Sequence, residues 1–114
     1  MTEVKNSYEA YGFVKDCSKE LFGKIISNKK LKEIHIETYT NKPYMLFGRI
    51  IEKNVTMLQE TNRIVIRMSD KYKTILVNLI LDEIKDCFFK QYMDNQYEIV
   101  FNIHNLHYKI LIII

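Results

Sequence analysis

Residues 69–93 constrain the fold more than any other stretch, because they form the longest run that keeps one apolar spacing. Tyr72, Ile75, Leu76, Leu79, Ile80, Ile84, Cys87 and Phe88 recur at helical intervals. Lys73, Thr74, Asn78, Asp82, Lys85, Asp86 and Lys90 fall on the opposite side. That pattern predicts a long helix with one buried stripe, capped by Ser69 or Asp70. The alternative makes residues 74–81 a strand, with Ile75, Val77, Leu79 and Leu81 alternating against Leu76, Asn78 and Ile80. Residues 81–84 then become a short turn closing a small barrel. The helix is favoured because its spacing holds through Phe88, past ordinary strand length.

The remaining segments supply what such a helix would cover. Asn6-Ser7-Tyr8-Glu9 resembles a capping box. Tyr11, Val14, Ser18, Leu21, Phe22 and Ile25 continue at helical spacing, which predicts a helix over about 7–28. Gly12 and Gly23 weaken it, by about 1 kcal/mol each. Lys24, Lys29 and Lys30 sit at its C-terminal end, where positive charge suits the helix dipole. Ile34, Ile36 and Thr38 alternate with His35, Glu37 and Tyr39, which predicts a half-buried strand. Residues 40–43 read as a turn. Residues 44–53 read as a strand apolar on both faces, hence central. Asn54 is expected to turn the chain. Residues 55–60 and 63–68 form a hairpin about Thr61 and Asn62. Residues 97–103 and 106–113 form a closing hairpin about His104 and Asn105.

The expectation is therefore one α+β domain over residues 1–114. A single antiparallel sheet of five to six strands carries an N-terminal helix, and a second long helix precedes the C-terminal hairpin. The alternative is a small SH3-like or Sm-like β-barrel with an N-terminal helix. The 114 residues are 47% hydrophobic and 27% charged, ordinary for a globular chain. The net charge of +3 permits an acidic partner without demanding one. The skew toward Ile, Lys, Asn and Tyr is associated with AT-rich genomes, such as those of low-GC bacteria and their phages. No secretory signal and no membrane-length apolar run is apparent, so a cytoplasmic location is expected. Cys17 and Cys87 are then reduced thiols, buried as small hydrophobes.

Little in the sequence suggests catalysis. His104 and His107 flank a turn and His35 stands alone on a strand, so no metal set converges. No nucleophile elbow surrounds either cysteine. Three isolated glycines make no phosphate loop. The order helix, three strands, helix, strand invites comparison with restriction-type nucleases, which need a carboxylate-x-Lys on a strand to hold a metal. Glu52-Lys53 lacks the spacer, Glu60-Thr61-Asn62 lacks the lysine, and Glu83-Ile84-Lys85 falls on the predicted helix. The chain is therefore expected not to be an enzyme and to need no cofactor.

In element order the chain is similar to class I type III secretion chaperones, which are small dimeric protein-binding proteins. Those carry a further C-terminal helix and an acidic composition, and this chain has neither. The expected function is that of a small protein-binding protein, such as a phage or mobile-element inhibitor of a larger host protein. A defence-system inhibitor or a toxin-immunity protein would act in this way, by surface occlusion. The second choice is a nucleic-acid-binding or regulatory module. Its candidate contacts are Lys29, Lys30, Arg63, Arg67, Lys71 and Lys73, with Tyr39 and Tyr44 as stacking surfaces. The apolar residues 108–114 would aggregate as a free edge, so they are expected to be central or to pair with a second copy in a homodimer.

Overall fold

The computed structural model describes residues 8–15, 30–41, 43–69 and 71–114, except the side chains of Lys30 and Asn54. These residues form eight strands: β1 (Val14–Lys15), β2 (Lys30–Asn41), β3 (Tyr44–Gln59), β4 (Arg63–Ser69), β5 (Thr74–Ile80), β6 (Ile84–Met93), β7 (Gln96–Ile103) and β8 (Leu106–Ile113). All neighbours are antiparallel, in the order β1-β6-β7-β8-β2-β3-β4-β5. The α+β expectation is overturned. Among the described residues no helix reaches seven residues, and the predicted second helix is β5, a 3-10 turn (Leu81–Glu83) and β6.

Two local features explain the difference. Residues 74–80 are rich in β-branched side chains, which favour a pleated surface over a helix. Ile75, Val77 and Leu79 turn toward the core while Thr74, Leu76 and Asn78 are exposed. The second feature lies in β6. Its register against β7 steps from Lys85↔Asn102 to Phe88↔Val100, so β6 spends three residues where β7 spends two. The extra residue is a β-bulge, and Asp86 within it has φ of 52°. Ile84, Cys87 and Phe88 are all buried. The bulge sets Ile84 and Cys87, three residues apart, into one core, while Phe88 is buried on the other face beneath Tyr8.

The alternative reading places the strand and turn of this region correctly. The small SH3-like or Sm-like barrel it implies is not what forms, because eight strands join one larger sheet. That sheet is rolled. Every neighbour is antiparallel, so β5 and β6 run in the same sense although they lie six strand spacings apart, about 29 Å in a flat sheet. The link from Ile80 to Ile84 can span at most about 14 Å. The turn is thus a corner that carries the chain from one end of the sheet to the other. The Leu81 N–H ties it down by donating to the Asn62 carbonyl at 2.9 Å. Leu79 from one end and Ile84 and Cys87 from the other accordingly share one core with Ile34, Ile64, Phe101 and Ile110.

Other expectations divide. Both predicted hairpins form. Asn54 does not turn the chain, because β3 runs unbroken for 16 residues. The first half of β3 is not central either: Tyr44, Met45, Leu46, Phe47 and Ile51 are all exposed. The predicted N-terminal helix is reduced, over its described part, to one turn at residues 8–10, and residues 16–29 lie outside the described residues. Gly12 ends that turn. Its φ is +90°, its N–H donates to Glu9 at 3.1 Å, and the Phe13 N–H reaches back to Tyr8 at 3.1 Å. That is a Schellman cap, which needs a left-handed residue at this position. The chain then extends as β1 and pairs with β6 through Val14↔Phe89 and Lys15↔Phe88. The C-terminal strand is internal, with β7 on one side and β2 on the other. It has no free edge for a homodimer.

Candidate functional site

Side chains paired across neighbouring strands share a face, so register alone lays out the outer surface of the sheet. One row runs Asn102–His107–Tyr39–Leu46, and the next Phe88–Val100–Lys109–Glu37–Arg49. The first described residues of the chain cover one side of this face. Tyr8 stacks on Phe88 at 5.3 Å and on His107 at 6.0 Å, and meets Phe13 edge-on at 5.4 Å. Lys90 secures the strap by donating to the Tyr11 carbonyl at 2.6 Å.

Beneath Tyr8 lies a polar chain of fixed direction. The oxygen of Asn102 can only accept, so His107 Nδ1–H donates to it at 2.8 Å. In the neutral ring Nε2 then accepts the Tyr8 O–H, also at 2.8 Å. Asn102 in turn donates to Asp86 in the bulge at 3.3 Å. Burial, and secondly Lys109, pushes the His107 pKa down, which favours this neutral form. Burial pushes the Tyr8 hydroxyl up to about 12. The tyrosine is therefore a poor acid and the histidine's free lone pair is occupied. The group clamps the strap onto the sheet. In the sequence His107 stands only beside a turn. Its burial depends on a contact with Tyr8, 99 residues away.

The other side of the face is open. Tyr39 and Tyr44 lie flat against each other, 4.8 Å apart and 2° from parallel. Lys109 Nζ sits 5.3 Å over the Tyr39 ring. The Tyr39 hydroxyl donates to Glu37 at 2.7 Å, and Arg49 Nε donates to the same carboxylate at 2.8 Å. The tyrosine bond first, and the guanidinium second, hold the Glu37 carboxyl below the usual carboxylate range. The same bond pushes the Tyr39 hydroxyl up. Beyond these rings β3 is apolar and bare: Tyr44 is 54% exposed, Met45 58%, Leu46 48%, Phe47 70% and Ile51 50%. Phe47 is the extra residue of a second bulge, between Thr38↔Gly48 and Tyr39↔Leu46. Strand β4 covers β3 only from Val55 to Gln59. Among the described residues nothing pairs with the outer edge of residues 44–54.

The residues expected to bind nucleic acid split into groups. Tyr39 and Tyr44 meet, as described. Arg67 pairs with Thr56 on β3 and Leu76 on β5, and Lys30 occupies the register position on the other side of Thr56. Lys71 and Lys73 follow in the β4–β5 loop, with Lys71 Nζ 5.3 Å over the Tyr72 ring. Thr56 lies twelve residues along β3 from Tyr44, about 40 Å of strand, so cations and stacking rings do not share a groove. Arg63 stands apart, in an ion pair with Glu60. Lys29 lies outside the described residues.

Cys87 is fully buried, as expected of a small hydrophobe, and Cys17 lies outside the described residues. Glu83-Ile84-Lys85 now brackets the start of β6. Asp82, Glu83, Asp86 and His104 line an open cleft of about 380 Å³ there. Among the described residues no group of three such side chains could hold a metal ion, and no helix is long and apolar enough to cross a membrane.

The described residues thus form a rolled, antiparallel, almost entirely β sheet in which residues 44–54 of β3 have no described partner on their outer edge. Comparison with protein-family models, curated proteins and solved structures found no match.

Proposed function

We propose that this chain is a small non-catalytic protein-binding protein of the cytoplasm, and that the open half of β3 is its contact surface. One observation carries the reading: Tyr44, Leu46 and Ile51 stand exposed on the outer face of one strand, with Phe47 at its bulge and Met45 exposed on the opposite face. Over both faces they present on the order of 500 Å² of apolar surface, which is more than scattered single residues leave uncovered. Mixed charge rims them, with Arg49 and Lys109 about Glu37, as at the polar rim of a protein interface. Within this reading the chain acts by occlusion, laying the strand over a surface that a larger protein needs. An inhibitor encoded by a phage or another mobile element, of the anti-defence or toxin-immunity type, fits that mode and the composition of the chain.

Phe47→Asp provides the test. Phe47 is 70% exposed, so the change leaves the core intact. Tagged wild-type protein should retain a stoichiometric protein from lysate of a low-GC bacterial host, and the Phe47→Asp chain should not. Retention of the same partner by both chains, or of none by either, would sink the proposal. Adding the purified chain to the captured partner and assaying that partner tests inhibition. Nucleic-acid binding is the second reading. It is supported by Lys30, Arg67, Lys71 and Lys73 at one end of the sheet, and weakened by the distance of the stacking tyrosines.

A further inference from the structure

We infer that residues 8–15 form an acid-released cover: protonation of His107 lifts this strap and uncovers Phe88 and Val100 on the outer face of the sheet. The strap is lightly held. Strand β1 pairs with β6 through two residues, the helical segment is a single turn, and Tyr11 and Val14 are exposed. From the sheet side Lys90 fastens the Tyr11 carbonyl and His107 fastens Tyr8. Segments with few buried contacts open locally, well short of global unfolding. Beneath the strap Phe88 and Val100 are buried, packed with Phe13 and Tyr8. Val100 belongs to the outer row that continues through Lys109 to Glu37, so release widens the face that carries Tyr39. Release does not depend on what that face binds.

Hydrogen bonding alone does not make the strap sensitive to acid. Protonation turns both ring nitrogens of His107 into donors, and the Tyr8 oxygen can turn to accept. The sensitivity comes from the charge. His107 is buried, and among the described residues no counter-ion meets its ring. Tyr8 and Tyr44 present their rings to it, Tyr39 faces it from β2, and Asn102 meets it from β7. Lys109, two residues along β8, repels a second positive charge. The carboxylates of this face are engaged elsewhere. Asp86 reaches the ring only through Asn102, and Glu37 is held by Tyr39 and Arg49. Glu98, which acts on the Tyr8 hydroxyl, accepts from Tyr92 and lies opposite Lys90. Ring faces attract a cation, but burial outweighs that attraction and holds the His107 pKa down. A buried charge without a partner is costly, and lifting Tyr8 off the ring lets water solvate it. The ring therefore holds its proton more tightly with the strap lifted than with it closed. By linkage the closed form is favoured above about pH 6.5 and weakens about tenfold per pH unit below that, down to the pKa of the closed form.

Broadening of methyl NMR signals by a soluble nitroxide reads solvent contact in the full chain. The Val100 methyls should be shielded at neutral pH, and their broadening should rise several-fold between about pH 7 and about pH 5. The core methyls of Ile36 and Ile110 should stay shielded throughout. His107→Gln keeps a polar side chain that takes no charge, so its Val100 signal should be flat with pH. Asn102→Asp supplies the missing counter-ion at Nδ1, so its strap should stay closed at about pH 5. A wild-type Val100 that stays shielded down to about pH 5 overturns the inference. So does a rise of equal size in His107→Gln, an undiminished rise in Asn102→Asp, or a rise shared by Ile36 and Ile110.

Discussion

Truncating two leucines three residues apart tests whether residues 74–80 are strand. A helical stripe would bury Leu76 and Leu79 together. In the structure Leu79 is 2% exposed and faces Ile64, itself fully buried, while Leu76 is 58% exposed and faces Arg67. Leu79→Ala leaves a cavity in the shared core. Buried leucine truncations cost about 2–5 kcal/mol, and one side of β5 has no described neighbour strand, so the lower half of that range, about 2–3 kcal/mol, is expected. Full burial of a leucine side chain contributes roughly 2 kcal/mol. Leu76 has less than half of its surface covered, so Leu76→Ala should cost under about 1 kcal/mol. Urea unfolding reads the difference directly. With a slope of about 1–2 kcal/mol/M, the Leu79→Ala midpoint should fall by roughly 1–2 M and the Leu76→Ala midpoint by well under 1 M. Equal losses at the two positions would refute the strand geometry and the corner that follows from it.

Two further outcomes concern the N-terminal strap. Gly12→Ala should cost about 1–2 kcal/mol by chemical denaturation. The added Cβ would lie 3.5 Å from the Lys90 side chain, an ordinary contact, so the loss comes from the φ of +90°; an unchanged midpoint would show that the strap contributes nothing. His107 has a folded pKa below its unfolded value. Its contribution to stability is therefore complete above about pH 6.5 and is lost as the pH falls toward the folded pKa. Protonation also replaces the acceptor that Tyr8 needs with a donor. An NMR titration should place the His107 midpoint below about 6.5, and a midpoint at or above that value would refute the buried chain Tyr8–His107–Asn102.

Where sequence reading succeeds, the information is local. Ile34, Ile36, Ile64, Ile66 and Met68 alternate along their strands and are all buried. The hairpins about Thr61-Asn62 and His104-Asn105 are legible from short breaks between apolar runs. The open part of the candidate surface is not legible, for a related reason. Residues 44–51 are apolar on both faces, which in sequence signifies a central strand. Whether a strand is central depends on its neighbours, and β4 stops pairing at Val55.

The sequence by itself determined the alternation that buries Ile34, Ile36, Ile64, Ile66 and Met68 and the hairpin turns about Thr61-Asn62 and His104-Asn105. Those are properties of composition and of neighbours in the chain. Tertiary structure decided the secondary structure of residues 69–93, because a bulge at Asp86 gives a strand the apolar spacing of a helix and only pairing with β7 reveals it. It also decided that the apolar C-terminal strand is satisfied on both edges, while among the described residues nothing pairs with the outer edge of residues 44–54. Strand order depends on contacts between distant residues, such as Ile36 with Ile110. Apolar periodicity within a segment carries no record of them.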